Sequence, residues 1–216
     1  MDQIDEYEQG ERVRAWLRSN GSSLIGGIAL GLACLGGWQW WQGQQGRQQL
    51  EAANEYHAYT KAADAKEEAK ASAHFAALGK DYADTPYPAL AALRQAADLH
   101  AQGKDDEAIK ALESVKGEGV DPMLAELAQL RIARLLTGQG KHEDAIKRVS
   151  AIANPAYPAV AAEIRGDAEM ALGRREQARD EYEKALASMD IAAPTRPMVE
   201  MKLTDAGGSP NAQPET

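Results

Sequence analysis

Three stretches of this 216-residue chain align without gaps: AQGKDDEAIKAL (residues 101–112), GQGKHEDAIKRV (138–149) and ALGRREQARDEY (171–182). They bring Gly103, Gly140 and Gly173 into register, 37 and 33 residues apart, and an alanine follows each five residues later: Ala108, Ala145 and Ala178. Seven residues before each glycine stands a small residue, Ala96, Ala133 or Gly166. Glycine readily takes the left-handed conformation that ends a helix. Small residues on both sides of it let two antiparallel helices approach closely. The second helix of each pair then carries an apolar stripe: Ala108, Ile109, Leu112 and Val115; Ala145, Ile146, Val149 and Ile152; Ala178, Tyr182, Ala185 and Leu186. Pro122 and Pro155 fall between the copies, where a helix must stop. From Gly46 to about Met189 the chain is rich in alanine and other helix formers, with no strand-like alternation.

A two-helix unit of about this length resembles the tetratricopeptide repeat. The resemblance implies an all-α solenoid in which each pair stacks on the next. The longer first spacing is absorbed by KGEGVDP (116–122), a loop. Residues 47–84 read as two further helices without the glycine–alanine register, a degenerate capping repeat. RPMVEMKL (196–203) starts a last short helix over the exposed end of the stack, and TDAGGSPNAQPET (204–216) reads as a disordered tail.

Upstream, no charge occurs between Arg18 and Arg47, and the apolar run from Leu24 to Trp41 spans roughly 27 Å as a helix. Trp38, Trp40 and Trp41 close it, where amphipathic rings rest at headgroup level. The long, mixed-charge lead and the lack of an A-x-A site argue against a cleaved signal. Gly31-Leu32-Ala33-Cys34 resembles a lipobox, but leucine falls at position 30 and the apolar run continues past Cys34, so a permanent single span is expected. Arg12, Arg14 and Arg18 precede the span, against Arg47 alone close behind it, which places the N-terminus in the cytoplasm and the C-terminal domain across the membrane. In ERVRAWLR, Val13, Trp16 and Leu17 share one face, a short amphipathic helix suited to anionic lipid. Within the span, Gly27, Gly31, Ala29, Ala33 and Gly37 form small-residue ridges that would allow close packing with another membrane helix. The expected organisation is a cytoplasmic tail (1–21), a transmembrane helix (22–45), a repeat domain (46–203) and a disordered tail (204–216).

The composition narrows the function. Net charge is −9, of which −7 lies beyond the N-terminal tail, so nucleic-acid binding is disfavoured. The lone cysteine permits no intrachain disulfide. His57, His74, His100 and His142 are scattered without metal-ligand spacing. GQGKHED lacks the first glycine and the Ser/Thr of a phosphate loop, RGD (165–167) sits within a helix, and no G-x-S-x-G occurs. No catalytic, cofactor-binding or metal site is expected. Stacked pairs offer a groove for peptide or protein segments. Tyr87, Leu99, Arg94, Arg131, Arg134 and Arg165 on the first helices are candidates for that groove, and equally for packing.

The ordered parts also resemble the bacterial YfgM family, the ancillary subunit of the SecYEG translocon. They are an acidic tail, VRAWLRSNGSSLIGGIALGLACLGGWQWW (13–41), LRIARLLTGQGKHEDAIK (130–147), EIRGDAEMALGRREQARDEYEKAL (163–186) and MVEMKL (198–203). The resemblance implies an inner-membrane protein with periplasmic repeats beside the translocon. It also implies a membrane-anchored chaperone of the peptidyl-prolyl isomerase type and exported polypeptides as partners. A structural scaffold of an envelope complex, or a regulator acting through its cytoplasmic tail, are the alternatives.

Overall fold

The computed structural model describes residues 2–117 and 119–210, without the side chains of residues 2–13, 17, 24 and 25. The described residues form nine α-helices and no strand. The chain divides into two units, Met1–Glu51 and Ala52–Thr216.

The first unit consists of most of helix α1 (Asp2–Asp64), one continuous helix through the expected amphipathic segment and span. Its apolar part is long and apolar enough to cross a membrane. The described side chains there are exposed on every side, including Leu30, Leu32, Leu35, Trp38, Trp40 and Trp41. A helix apolar all round needs an apolar medium around it. Trp16 is exposed, while its face-mates Val13 and Leu17 lie outside the described side chains.

The second unit begins at Ala52, a fully buried residue, so residues 46–51 fall with the first unit. It contains the end of α1 and α2 (Glu68–Asp81), α3 (Tyr87–Ala101) with α4 (Asp105–Glu113), α5 (Pro122–Gly138) with α6 (His142–Ser150), α7 (Pro158–Ala171) with α8 (Arg175–Ala187), and α9 (Arg196–Asp205). Proline in the first turn starts α5 and α7, where its missing N–H costs nothing. Asp121 caps α5 by accepting from the Met123 and Leu124 amides. The loop before α7 is pinned by Glu126, which accepts from the Ala156 and Tyr157 amides.

Each hairpin turn has one construction. After α3, the Gly103 amide donates to His100 O and the Lys104 amide to Leu99 O, with Gly103 at φ +75°. The same two bonds recur at Gly140 and at Gly173, which sits at the end of α7. This is the Schellman cap, which satisfies the last carbonyls of a helix through a left-handed residue.

The cap recurs at two further places. After α1 the Lys66 amide donates to Ala63 O and the Glu67 amide to Ala62 O, with Lys66 at φ +58°. Lys66 precedes Gly103 by the same 37 residues that separate Gly103 from Gly140. The degenerate first repeat therefore keeps the turn, with lysine in the glycine's place. Lys66→Gly is expected to stabilise the fold by about 0.5–1 kcal/mol, because a left-handed L-residue is strained where glycine is not. Urea denaturation of the two proteins measures it.

After α9 the Gly207 amide donates to Thr204 O and the Gly208 amide to Leu203 O. This corrects the reading of 204–216 as disorder throughout: Thr204 and Asp205 are helical, Ala206 is buried and the turn is capped. Residues 211–216 of that tail lie outside the described residues. Helix α9 packs Val199 and Leu203 against Tyr182, Ala185 and Leu186 of α8. It stands in register with the first helices α3, α5 and α7, ending in the same cap at Gly207. Glu200 occupies the place of Ala96, Ala133 and Gly166 and pairs with Arg196 at 2.9 Å. Gly208 lies directly on Leu203.

Candidate protein-interaction surface

The residues of the repeat signature sit at the helix crossings. Ala96 and Ala108 lie in one buried cluster, Ala133 and Ala145 in the next. Gly166 and Ala178 are buried in the third pair. The crossing residues trade volume. Ala96 is matched with Leu112 and Ala133 with Val149, whereas Gly166 leaves its space to the ring of Tyr182. In the first pair the large residues stand on both sides, Tyr59 and Phe75, with ring centroids 6.0 Å apart. These rings join Tyr56, Leu78 and Tyr87 in one cluster, beside a cleft of about 610 Å³ between the first turn and α3. Burial, with Asp98 nearby, pushes the Tyr59 phenol up to about 12.

Two clefts open among the first helices. One, of about 320 Å³, has Ala96, Ala97, Leu112 and Leu135 in its walls and Arg131, Arg134, His100 and Asp105 around it. The other, of about 350 Å³, is lined by Arg134, Thr137, Glu163, Ile164, Asp167, Thr195, Met198 and Lys202. Arg134 borders both.

Charges in the second cleft are interlocked. Lys202 Nζ lies 2.7 Å from Glu163 Oε1 and 2.8 Å from Asp167 Oδ2. The Tyr182 hydroxyl donates to Asp167 Oδ1 at 2.9 Å. Burial acts to lower the Lys202 pKa, but the hydrogen bonds to Asp167 and Glu163 outweigh it, and the ammonium is held above its ordinary range. Arg134 reaches Glu163 Oε2 only at 3.4 Å. Arg131 donates to the Leu93 carbonyl at 3.1 Å, and His100 pairs with Asp105 at 2.6 Å.

Of the six groove candidates, Arg131 and Arg134 border the first cleft. Tyr87 instead stacks in the aromatic cluster, and Leu99 packs on the core while also lining the cleft of about 610 Å³. Arg94 is held by Asp64 and Asp98. Arg165 donates to Glu181 of α8 at 2.7 Å. Although burial acts to raise it, bonds from Lys184 and Arg165 keep that carboxyl below its ordinary range. Glu163, Met198 and Lys202 carry no sequence signal for this cleft beyond their places before the caps at Gly173 and Gly207. On α1, Gly27, Ala29, Gly31, Ala33 and Gly37 are exposed, and the glycines have open space beside them.

Repeated helix pairs with one shared cap, preceded by an apolar helix long enough to cross a membrane, define a helical-repeat protein with a candidate membrane span. The chain belongs to the tetratricopeptide repeat-like domain family, which matches residues 14–208. It is 28% identical over 203 residues to the ancillary SecYEG translocon subunit of Escherichia coli (strain K12), covering 93% of this chain and 96% of that one. A protein of the same name from Haemophilus influenzae (strain ATCC 51907 / DSM 11121 / KW20 / Rd) is 23% identical over 185 residues, covering 86% and 90%.

Proposed function

We propose that the chain is a membrane-tethered, non-enzymatic interaction protein at the protein-export channel. In this reading α1 crosses the bacterial inner membrane once, with residues 1–21 in the cytoplasm. The repeat unit from Ala52 onward then forms a periplasmic domain that binds a membrane-anchored chaperone of the peptidyl-prolyl isomerase type, exported polypeptides, or both. It would thereby aid the folding of secreted and outer-membrane proteins. The carrying observation is that likeness to the E. coli ancillary subunit extends over nearly the whole of both chains, apolar helix and repeats together.

The mechanism is tethering. An anchored module meets channel-side partners at an effective concentration that a weak free groove could not reach. The clefts suit binding without turnover, since Glu163 and Asp167 are engaged in ion pairs and Asp105 is hydrogen-bonded to His100. The ridge of Gly27, Gly31 and Gly37 with Ala29 and Ala33 would provide a second contact, with a helix of the channel inside the membrane.

Native co-purification in mild detergent tests the reading, using the intact protein and a form with residues 24–41 replaced by an unrelated single span. The intact protein is expected to bring down channel subunits and a periplasmic chaperone. Their loss in the exchanged form would place recognition on the glycine ridge, and their retention would place it on the repeats. If neither form brings down either partner, the assignment to the export channel is wrong.

A further inference from the structure

We infer that the two clefts that Arg134 borders together receive an extended peptide segment in which an acidic side chain is flanked on both sides by apolar residues. The inference rests on the proposed role of the repeats as a protein-binding surface and names what that surface selects.

The charge comes from two guanidinium groups on one face of α5. Arg131 and Arg134 stand three residues apart, one turn of the same helix. Among the described residues Arg131 has no carboxylate partner, and its one hydrogen bond to the Leu93 carbonyl steadies the guanidinium. Arg134 leaves 56% of its side chain exposed and touches Glu163 only at 3.4 Å. The other oxygen of that carboxylate is held by Lys202 at 2.7 Å. A guanidinium has five N–H donors, so both arginines keep donors for a carboxylate brought from outside.

The apolar requirement comes from the walls on either side. Ala96, Ala97, Leu112 and Leu135 give one side room for a single large apolar side chain. Met198, half exposed, provides apolar surface on the other, where Ile164 is itself buried in the core, and a thioether adapts its shape to what it meets. In an extended backbone alternate side chains point the same way. An acid at one position and apolar residues two before and two after it would therefore face the clefts together.

The test is fluorescence anisotropy on the full chain in detergent. The probe is an end-blocked twelve-residue peptide of serine and glycine with Leu-Ser-Glu-Ser-Leu at its centre, compared with a twin carrying glutamine for glutamate. The glutamate peptide is expected to bind about tenfold more tightly, the scale of one charge-assisted contact. The double variant Arg131→Gln/Arg134→Gln should erase the difference, and Arg175→Gln, an exposed arginine on α8, should keep it. Equal affinities, no saturable binding, discrimination that survives the double variant, or binding only when the peptide's C-terminus is free would each overturn the inference. Co-purification on the same preparations separates the two claims. Channel subunits recovered without peptide discrimination leave the function standing and remove this selectivity. Discrimination without channel subunits leaves the selectivity as a property of the clefts and removes the assignment to the channel.

Discussion

Gly166→Ala is expected to destabilise the repeat unit by about 2 kcal/mol, although alanine is the better helix former by roughly 1 kcal/mol. The reason is the crossing of α7 and α8. A Cβ at position 166 would lie 2.6 Å from Tyr182 Cε1 and 2.7 Å from Cδ1. The ring cannot swing aside freely, since it is buried and its hydroxyl is bonded to Asp167. Tyr182→Leu alone loses that bond and leaves a cavity, at a cost of about 3 kcal/mol. The double variant Gly166→Ala/Tyr182→Leu rebuilds the alanine–leucine pairing found at Ala96 and Leu112. It should therefore cost at least about 1 kcal/mol less than the two single changes added together. Urea denaturation of the four proteins gives the cycle. If Gly166→Ala proves stabilising, the ring has room to move and the volume exchange between repeats is not a constraint.

That exchange also explains how much of the fold the sequence disclosed. Gly103, Gly140 and Gly173 were legible because glycine is the residue that takes the left-handed cap without strain, so conformation and residue type coincide. At Lys66 they do not, and the same turn was invisible as a pattern. At Gly207 the residue type was right, but GGSP has the composition of a linker. What holds it in place is Leu203 beneath Gly208 and two backbone bonds, which composition does not encode.

The candidate surface was less legible because its distinctions are tertiary. Arg131, Arg134 and Arg165 look alike on their helices. Only Arg165 meets a carboxylate from the following helix, Glu181, and is thereby committed to packing. Arg131 meets a carbonyl from the preceding repeat and keeps its charge for the cleft. Which arginine is committed depends on stacking geometry, and no local periodicity carries that.

Lys202→Met is expected to cost about 3 kcal/mol and to loosen α9 before the rest of the unit. Glu163 has only 11% of its side chain exposed, and removing Lys202 leaves its carboxylate with the long contact to Arg134 alone. Breaking one side of a buried pair costs more than the pair contributed, because the remaining charge stays desolvated. Asp167, a third exposed, adds less. Adding Glu163→Gln and Asp167→Asn to Lys202→Met should recover much of the loss, since neutral amides need less than charges do. Hydrogen exchange locates the effect: amides of α9 should lose protection while those of α5 and α6 keep theirs. A loss below about 1 kcal/mol with unchanged α9 exchange would show that Arg134 and water already neutralise Glu163. Arg134 would then be committed to the protein itself, and the opening it offers to an outside carboxylate would be lost.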